Sequence, residues 1–408
     1  MQILKDLRDL TPNQRNAVLA SFLGWTLDAF DFFIIVFVLK DIAKEFKADI
    51  PSVTATLFLT LAMRPLGALL FGIVADRFGR RPTLMIDILF YSIVEFLSGF
   101  APSLTALIIL RGLYGIAMGG EWGVGASLTM ETIPAKTRGI VSGLLQAGYP
   151  SGYLLAAVLY GTSYHFLGWR GMFMVGALPA FLVLFIRRNV EESPAWKLRR
   201  GRPVPIGGGI GATIKGRWKL FIYVIVLMTA FNSFSHGTQD IYPTFLLKGR
   251  GFSAGVVGLL GVIYNVGSLA GGFVFGTLSE RWGRKRAIIT AALLAIPIVP
   301  LFAYAHSPLV LGVGAFLMQF MVQGAWGVVP AYLTELSPGP VRAIFPGLAY
   351  QLGNLLTSRN LVIQNKLVEG LHNNYAPVLA GTVVVVAITL AVVTACGRES
   401  RGVELEAV

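Results

Sequence analysis

Charge is what this sequence has least of. Only 13% of its 408 residues are charged while 55% are hydrophobic, a balance that does not suit a soluble chain of this length. Cysteine is nearly absent too: Cys396 stands alone, which excludes an internal disulfide. No Gly-Lys-Ser/Thr phosphate loop is present, so an ATP-driven machine is excluded. The glycine-rich stretch GGGIGATIKG (207–216) has neither that ending nor a preceding strand, and it reads as part of a flexible linker. Nor is there a cluster with metal-ligand spacing. No metal and no cofactor is therefore expected, and any work done must draw on an ion gradient.

What the chain does have is long apolar runs. Stretches of about 20 such residues suffice to cross a bilayer, and twelve can be drawn, near residues 17–39, 53–75, 83–101, 105–129, 139–162, 170–186, 219–245, 254–278, 287–305, 308–333, 343–364 and 376–395. This predicts an all-α, polytopic membrane protein. The first run is too long for a signal-peptide core and is expected to be retained. The net charge of +13 invites a nucleic-acid reading, but most Lys and Arg fall in the tails and in every second loop. That is the positive-inside pattern. It places both termini and the basic loop 187–219 (Lys197, Arg199, Arg200, Arg202, Lys215, Arg217) in the cytoplasm, where anionic lipid accounts for the charge without nucleic acid.

The two ends of the chain repeat each other. Gly72, Asp76, Arg77, Gly79, Arg80 and Arg81 recur 204 residues later as Gly276, Glu280, Arg281, Gly283, Arg284 and Lys285. Gly120, Trp122, Glu131 and Arg138 match Gly324, Trp326, Glu335 and Arg342 at the same offset. Two parallel six-helix halves follow: 1–188, a cytoplasmic basic linker 189–218, and 219–408.

Within the apolar run 220–247 lies a polar island, NSFSHGTQDIYPT, from Asn232 to Thr244. Asn232, His236, Gln239 and Asp240 are spaced to lean toward one helix face. A charged group facing lipid costs roughly 2.5–3.5 kcal/mol on insertion scales, so this face should turn to a bundle interior or a wet cavity. A ligand or proton site is one reading, and a polar seam between helices the other. Pro243 should loosen the helix just beyond.

At this point the chain resembles the major facilitator superfamily, on the GIVADRFGRR run after the second span and its echo in the second half. That resemblance implies a twelve-helix transporter. It implies further that Gly72, Asp76, Arg77, Arg80, Glu131 and Arg138, with Gly276, Glu280, Arg281, Arg284, Glu335 and Arg342, form a cytoplasmic gating latch. RGLYGIAMGG from Arg111, GLLQAGYPSGYLLA from Gly143 and EESPAW at Glu191–Trp196 extend the likeness. The polar island resembles the helix 7 signature of the Jen-type lactate and pyruvate:proton symporters at Asn232, Ser235, His236, Thr238, Gln239, Asp240 and Thr244. Sialate:proton symporters, grouped with them, share the DAFDF-like and MGGE elements. Two departures stand out: the fungal members carry long tails, which suggests a compact prokaryotic version here, and Glu121 sits where they are apolar.

The resemblance implies a small organic monocarboxylate and a proton as partners, in a lipid bilayer, with the chain expected to act as a monomer. Arg64, near the middle of the second span, is the candidate carboxylate clamp, because a guanidinium grips two oxygens at once. Asn232, His236, Gln239 and Gln323 are candidate substrate contacts; Asp28, Asp31, Glu121, His236 and Asp240 are candidate proton carriers. Asp28 or Asp31 can equally serve as counter-ion to Arg64, and Arg111 reads as structural as readily as functional. Gln319 and Gln323 suit helix packing as well as ligand contact. Asp87 and Glu95 read as peripheral, and Arg359 lies toward an outer helix end. Ser235, His236 and Asp240 invite a catalytic-triad alternative, although neighbours on a helix project about 100° apart.

Overall fold

The computed structural model describes residues 7–199 and 208–405, and it is helical throughout, with no strand among the described residues. Helix α1 (Pro12–Glu45) opens on a capping box: the Gln14 N–H donates to Thr11 Oγ1 at 3.3 Å and the Thr11 N–H donates to Gln14 Oε1 at 2.9 Å, with Pro12 in the first turn. Asp49 caps α2 (Ile50–Phe78) and Ser103 caps α4 (Leu104–Thr132), on either side of α3 (Arg80–Ser98). The next two spans are joined at Gly168 (φ 60°, ψ 179°): α5 comprises Arg138–Gln146 and the residues from Gly148 to that break, and α6 runs on to Asn189.

The second half repeats the order. Helix α7 comprises Trp218–Gln239 and, past a break, Tyr242–Thr244 and Phe245–Gly249. Then come α8 (Ala254–Trp282), α9 (Arg284–Leu294, extended to Tyr304), α10 (Pro308–Trp326 and Val329–Leu336), α11 (Ile344–Thr357 and Asn360–Gly370) and α12 (Tyr375–Cys396).

Seven of these spans are long and apolar enough in one piece to cross a membrane. The other five have identifiable reasons for falling short. Helix α3 carries Arg80, Arg81, Asp87 and Glu95; α5 and α6 meet at the Gly168 turn; Pro297 and Pro300 interrupt α9; and α11 breaks near Arg359. Phe58, Leu309 and Val385 are among the large apolar side chains left exposed, as a lipid-facing belt requires.

Close helix approach sets the interior. Gly115 and Gly119 of α4 rest on the Thr60 and Arg64 carbonyls of α2, where a Cβ has no room; Gly267 and Gly271 of α8 do the same against Phe316 and Phe320 of α10. The α2–α3 and α8–α9 turns need positive φ, supplied by Gly79 (116°) and Gly283 (93°). Leu10 and Leu405 share one buried cluster, so the first and last described segments lie at the same end of the bundle, called basal below. Between the halves, the stretch read as a flexible linker carries two short helices, Pro194–Arg199 and Gly208–Gly216. Arg200 and Arg202 lie outside the described residues.

Candidate functional site

The halves meet at the basal end and part toward the other. Ile344 of α11 lies against Gly72 of α2, Gly347 against Gly123 of α4, and Gly276 of α8 against Gly139 and Gly143 of α5. One level further from the basal end the halves separate around a cavity of about 220 Å³. Phe33, Tyr149 and Tyr153 line it from the first half, and Gln239, Tyr264 and Gln323 are among those facing it from the second.

Arg64 is not among the residues lining that cavity; it lies on α2 between Gly119 of α4 and Tyr350 of α11. Its position next to Pro65 puts it in a turn that lacks one backbone donor, and Gly119 lets α4 hold that turn closely. The side chain is 3% exposed, yet Nε and Nη2 have no hydrogen-bond partner. Its guanidinium lies 5.6 Å from the ring centroid of Tyr350 on α11, and Tyr350 in turn meets Trp122 at 5.0 Å and Trp326 at 5.5 Å. The Arg64 charge also acts on Tyr149 and His236. A buried, unpaired guanidinium is costly unless an anion joins it.

The polar island contributes unequally. His236 Nδ1 faces Asp240 Oδ2 at 3.1 Å, one turn along α7, while Nε2 faces the side-chain amide of Asn354 on α11 at 3.0 Å. The His236 and Asp240 side chains are 40% and 31% exposed, so the pair is wet. Gln239 donates to Ser235 Oγ and lines the cavity. That bond engages Ser235 with an amide and not with His236, which removes the nucleophile–base contact a triad needs. Asn232 is buried a turn below, its Nδ2 donating to Met228 O of its own helix at 2.8 Å. The four residues thus do not act as one face. The helix breaks at Asp240–Ile241, before Pro243, in keeping with that proline.

Above the basal network, five carboxylates are buried inside the first half. Asp28 accepts from Tyr114 Oη at 3.2 Å and is not ion-paired to Arg64. Asp31 and Glu121 have no partner at either oxygen. Glu121 lies in continuous helix, with MGGEWG inside α4, and Gly24 of α1 leaves the space its carboxylate occupies. Asp87 and Glu95, read as peripheral, are fully buried; Glu95 pairs with Arg111, and Asp87 is unpaired. Gln319 bonds Thr238 and Ser268 as a packing residue, whereas Gln323 faces the cavity.

At the basal end the repeat becomes a symmetric network. Arg80 holds Glu131 through Nε and Nη2 at 3.1 Å each and reaches Asp76 at 2.8 Å; Arg284 holds Glu335 at 3.0 and 2.9 Å and Glu280 at 2.9 Å. Asp76 accepts from the Ala343 and Ile344 N–H groups at 3.2 Å each, at the start of α11, and Glu280 accepts from the Gly139 N–H at the start of α5. Arg342 crosses to Glu131 at 3.6 Å and Arg138 to Glu335 at 3.8 Å. Arg77 and Arg281 do not join: both are exposed, and the Arg77 guanidinium lies over Phe78.

The network has a second ring that sequence reasoning does not find. Glu192 caps α3 by accepting from the Arg80 and Arg81 N–H groups, and Glu399 caps α9 through Arg284 and Lys285; Ser193 and Ser400 then reach Glu131 and Glu335. The Glu-Ser pair common to both segments is the available signal, concealed by a spacing slightly different from the main repeat. Burial pushes the Glu192 carboxyl above its ordinary range.

Comparison with known proteins adds the relationship. The chain matches the Major Facilitator Superfamily over residues 21–357 and again over 238–394. It is 31% identical to the sialic acid transporter NanX of Escherichia coli, covering 85% of each chain. It is 28% identical over 90% of its length to a carboxylic acid transporter protein homolog of Saccharomyces cerevisiae, and it spans 63% of that protein. A probable 4-methylmuconolactone transporter of Cupriavidus pinatubonensis is 30% identical over 86% of the chain and 83% of its own length. In fold it is similar to the proton:xylose symporter XylE bound to 6-bromo-6-deoxy-D-glucose, with a TM-score of 0.77 at 22% identity over 97% of this chain and 98% of that one. With its two six-helix repeats, this chain belongs to the major facilitator superfamily, a family of integral membrane transporters.

Proposed function

We propose that the protein is a proton-coupled symporter of small organic monocarboxylates, lactate and pyruvate foremost, working by alternating access in the plasma membrane, the inner membrane of a prokaryote. Both termini then face the cytoplasm, as the basic loops suggest, and the basal closure leaves the cavity open to the outside. The observation that carries this reading is Arg64: a buried guanidinium with two free donors, halfway along α2 and facing the other half. A carboxylate is the planar anion such a fork fits. The relatives named for carboxylic and sialic acids support an organic-acid substrate, and the helix 7 signature favours the short acids.

Coupling follows from shared charge. Asp28 is within the electrostatic reach of Arg64 but not bonded to it. When a substrate anion takes the guanidinium, Asp28 loses its balancing cation and binds a proton. His236 and Asp240, both partly exposed and next to the cavity-lining Gln239, deliver protons and substrate from outside. The basal network is the gate: the Asp76 and Glu280 caps, the Arg138 and Arg342 crossings, and the Gly72 and Gly276 approaches must all part for substrate to leave.

A sialate or other larger organic acid is the second reading, favoured by the 31% identity to NanX. Uptake of labelled lactate, pyruvate, sialate and an aromatic acid into proteoliposomes, with and without an inward proton gradient, tests both. Gradient-dependent uptake of the three-carbon acids is expected. Uptake of sialate alone would overturn the assignment of substrate, and uptake indifferent to the gradient would overturn the coupling.

A further inference from the structure

Above its basal network, the first half holds more buried carboxylate than the cations buried there can balance. Asp28, Asp31, Asp87 and Glu95 are 0% exposed and Glu121 is 1% exposed; the guanidiniums buried with them are Arg64 and Arg111, and Arg111 is taken by Glu95. An isolated ionised carboxylate away from water is so unfavourable that such groups neutralise instead. Neutrality of this set therefore needs three bound protons.

The arrangement runs along the bundle axis. Along the helices Arg111 and Glu95 lie nearest the end away from the basal network, Asp31 and Asp28 between, and Asp87 and Glu121 nearer the basal end. Asp87 and Glu95 are eight residues apart on α3, about 12 Å at 1.5 Å per residue. A second feature points into this set. Tyr91, on α3 between them, is fully buried, its hydroxyl has no partner, and it interacts electrostatically with Asp28, Asp31, Asp87 and Glu121. The charges that act on the lower pair are acidic, Glu121 and Asp28 on Asp87 and Asp28 on Glu121, while α2 packs there through Ala75 and Phe71 and α6 through Leu182 and Ile186.

We propose that Asp87, Glu121 and the Tyr91 hydroxyl form a proton storage and transfer site inside the first half, separate from the substrate cavity and joined to it through Asp28. In a transfer step the O–H bond of the Asp28 carboxyl breaks and one forms on Glu121 or Asp87. Where Tyr91 relays, its oxygen accepts one proton as its own leaves, so charge and atoms balance. Storage stands on the burial and charge count, while the part it plays in transport rests on the proton-coupled reading.

Infrared spectroscopy of the full chain in lipid tests storage without any substrate. A deuterium-sensitive band of protonated carboxyls is expected at neutral pH. Asp87→Asn and Glu121→Gln should each remove part of it, and Asp87→Glu should restore the Asp87 share. A missing band, a band unchanged in both variants, or one that shrinks on adding sodium ions at constant pH would overturn the site. Asp87→Leu gives an independent readout: loss of an unpaired buried carboxyl should leave the melting temperature equal or higher, whereas a marked fall would show Asp87 to be a structural partner. In proteoliposomes, Asp87→Asn should reduce gradient-driven accumulation at least tenfold relative to exchange, and an unchanged ratio would contradict the transfer role. If the parent protein moves no carboxylate, the transport reading fails while the infrared result still decides storage.

Discussion

Arg64 shows how much a single side chain can reveal. A guanidinium in the middle of an apolar run demands a partner, and that demand is legible in the sequence alone. Its surroundings are not: Tyr350 and Asn354 sit in ordinary-looking stretches of α11, and only folding brings them to Arg64 and His236. Asp87 and Glu95 mislead for the complementary reason, since helical spacing does not tell which face is interior in a helix buried from several sides. Two outcomes follow at this scale. Arg64→Lys keeps the charge but loses the fork, so lactate binding to folded, monodisperse protein should weaken roughly tenfold or more, consistent with about 1.5–3 kcal/mol for hydrogen bonds to charged groups; near-normal affinity would remove the clamp. Asp240→Asn keeps shape and hydrogen bonding while removing the titratable group. Downhill exchange should survive it and proton-driven accumulation collapse, as paired flux assays would show.

Elements are legible in the sequence where a cap or a proline marks them and obscure where tertiary contacts decide. The Thr11–Gln14 box and the break before Pro243 follow from local chemistry. The Gly168 turn falls in the gap between the apolar runs 139–162 and 170–186, whereas the interruption of α11 near Arg359 falls inside the run 343–364 and carries no such signal. The proposed gate is also an element-level device, because Asp76 and Glu280 accept from the N-termini of helices in the opposite half. A negative charge at a helix N-terminus is worth about 0.3–1 kcal/mol, up to about 2 where partly buried. Asp76→Asn should therefore favour the form open at the basal end, raising several-fold the labelling rate of a thiol at Ser142→Cys, which lies in the seam against Ala331, in a Cys396→Ser background. Gly276→Val has the same sense for a steric reason: a Cβ there would stand 2.5 Å from the Gly139 carbonyl, so basal closure should fail and transport stop in a protein that still folds.

For the molecule as a whole, the 204-residue repeat makes the architecture readable, because two copies of one pattern constrain each other. The halves nevertheless differ in chemistry. The first concentrates buried carboxylates with Arg64 and Arg111, while the second supplies the wet His236–Asp240 pair and the amides. On the proposed reading, that division couples an anion to a proton: the negative charge of the substrate and the positive charge of the proton enter together and cancel. The central claim is thus a statement about net charge, and lactate accumulation in proteoliposomes tests it most directly when pH gradient and membrane potential are imposed separately. The account predicts strong accumulation with an inward proton gradient at zero potential and almost none with a potassium-diffusion potential at constant pH; strong accumulation driven by the potential alone would contradict it.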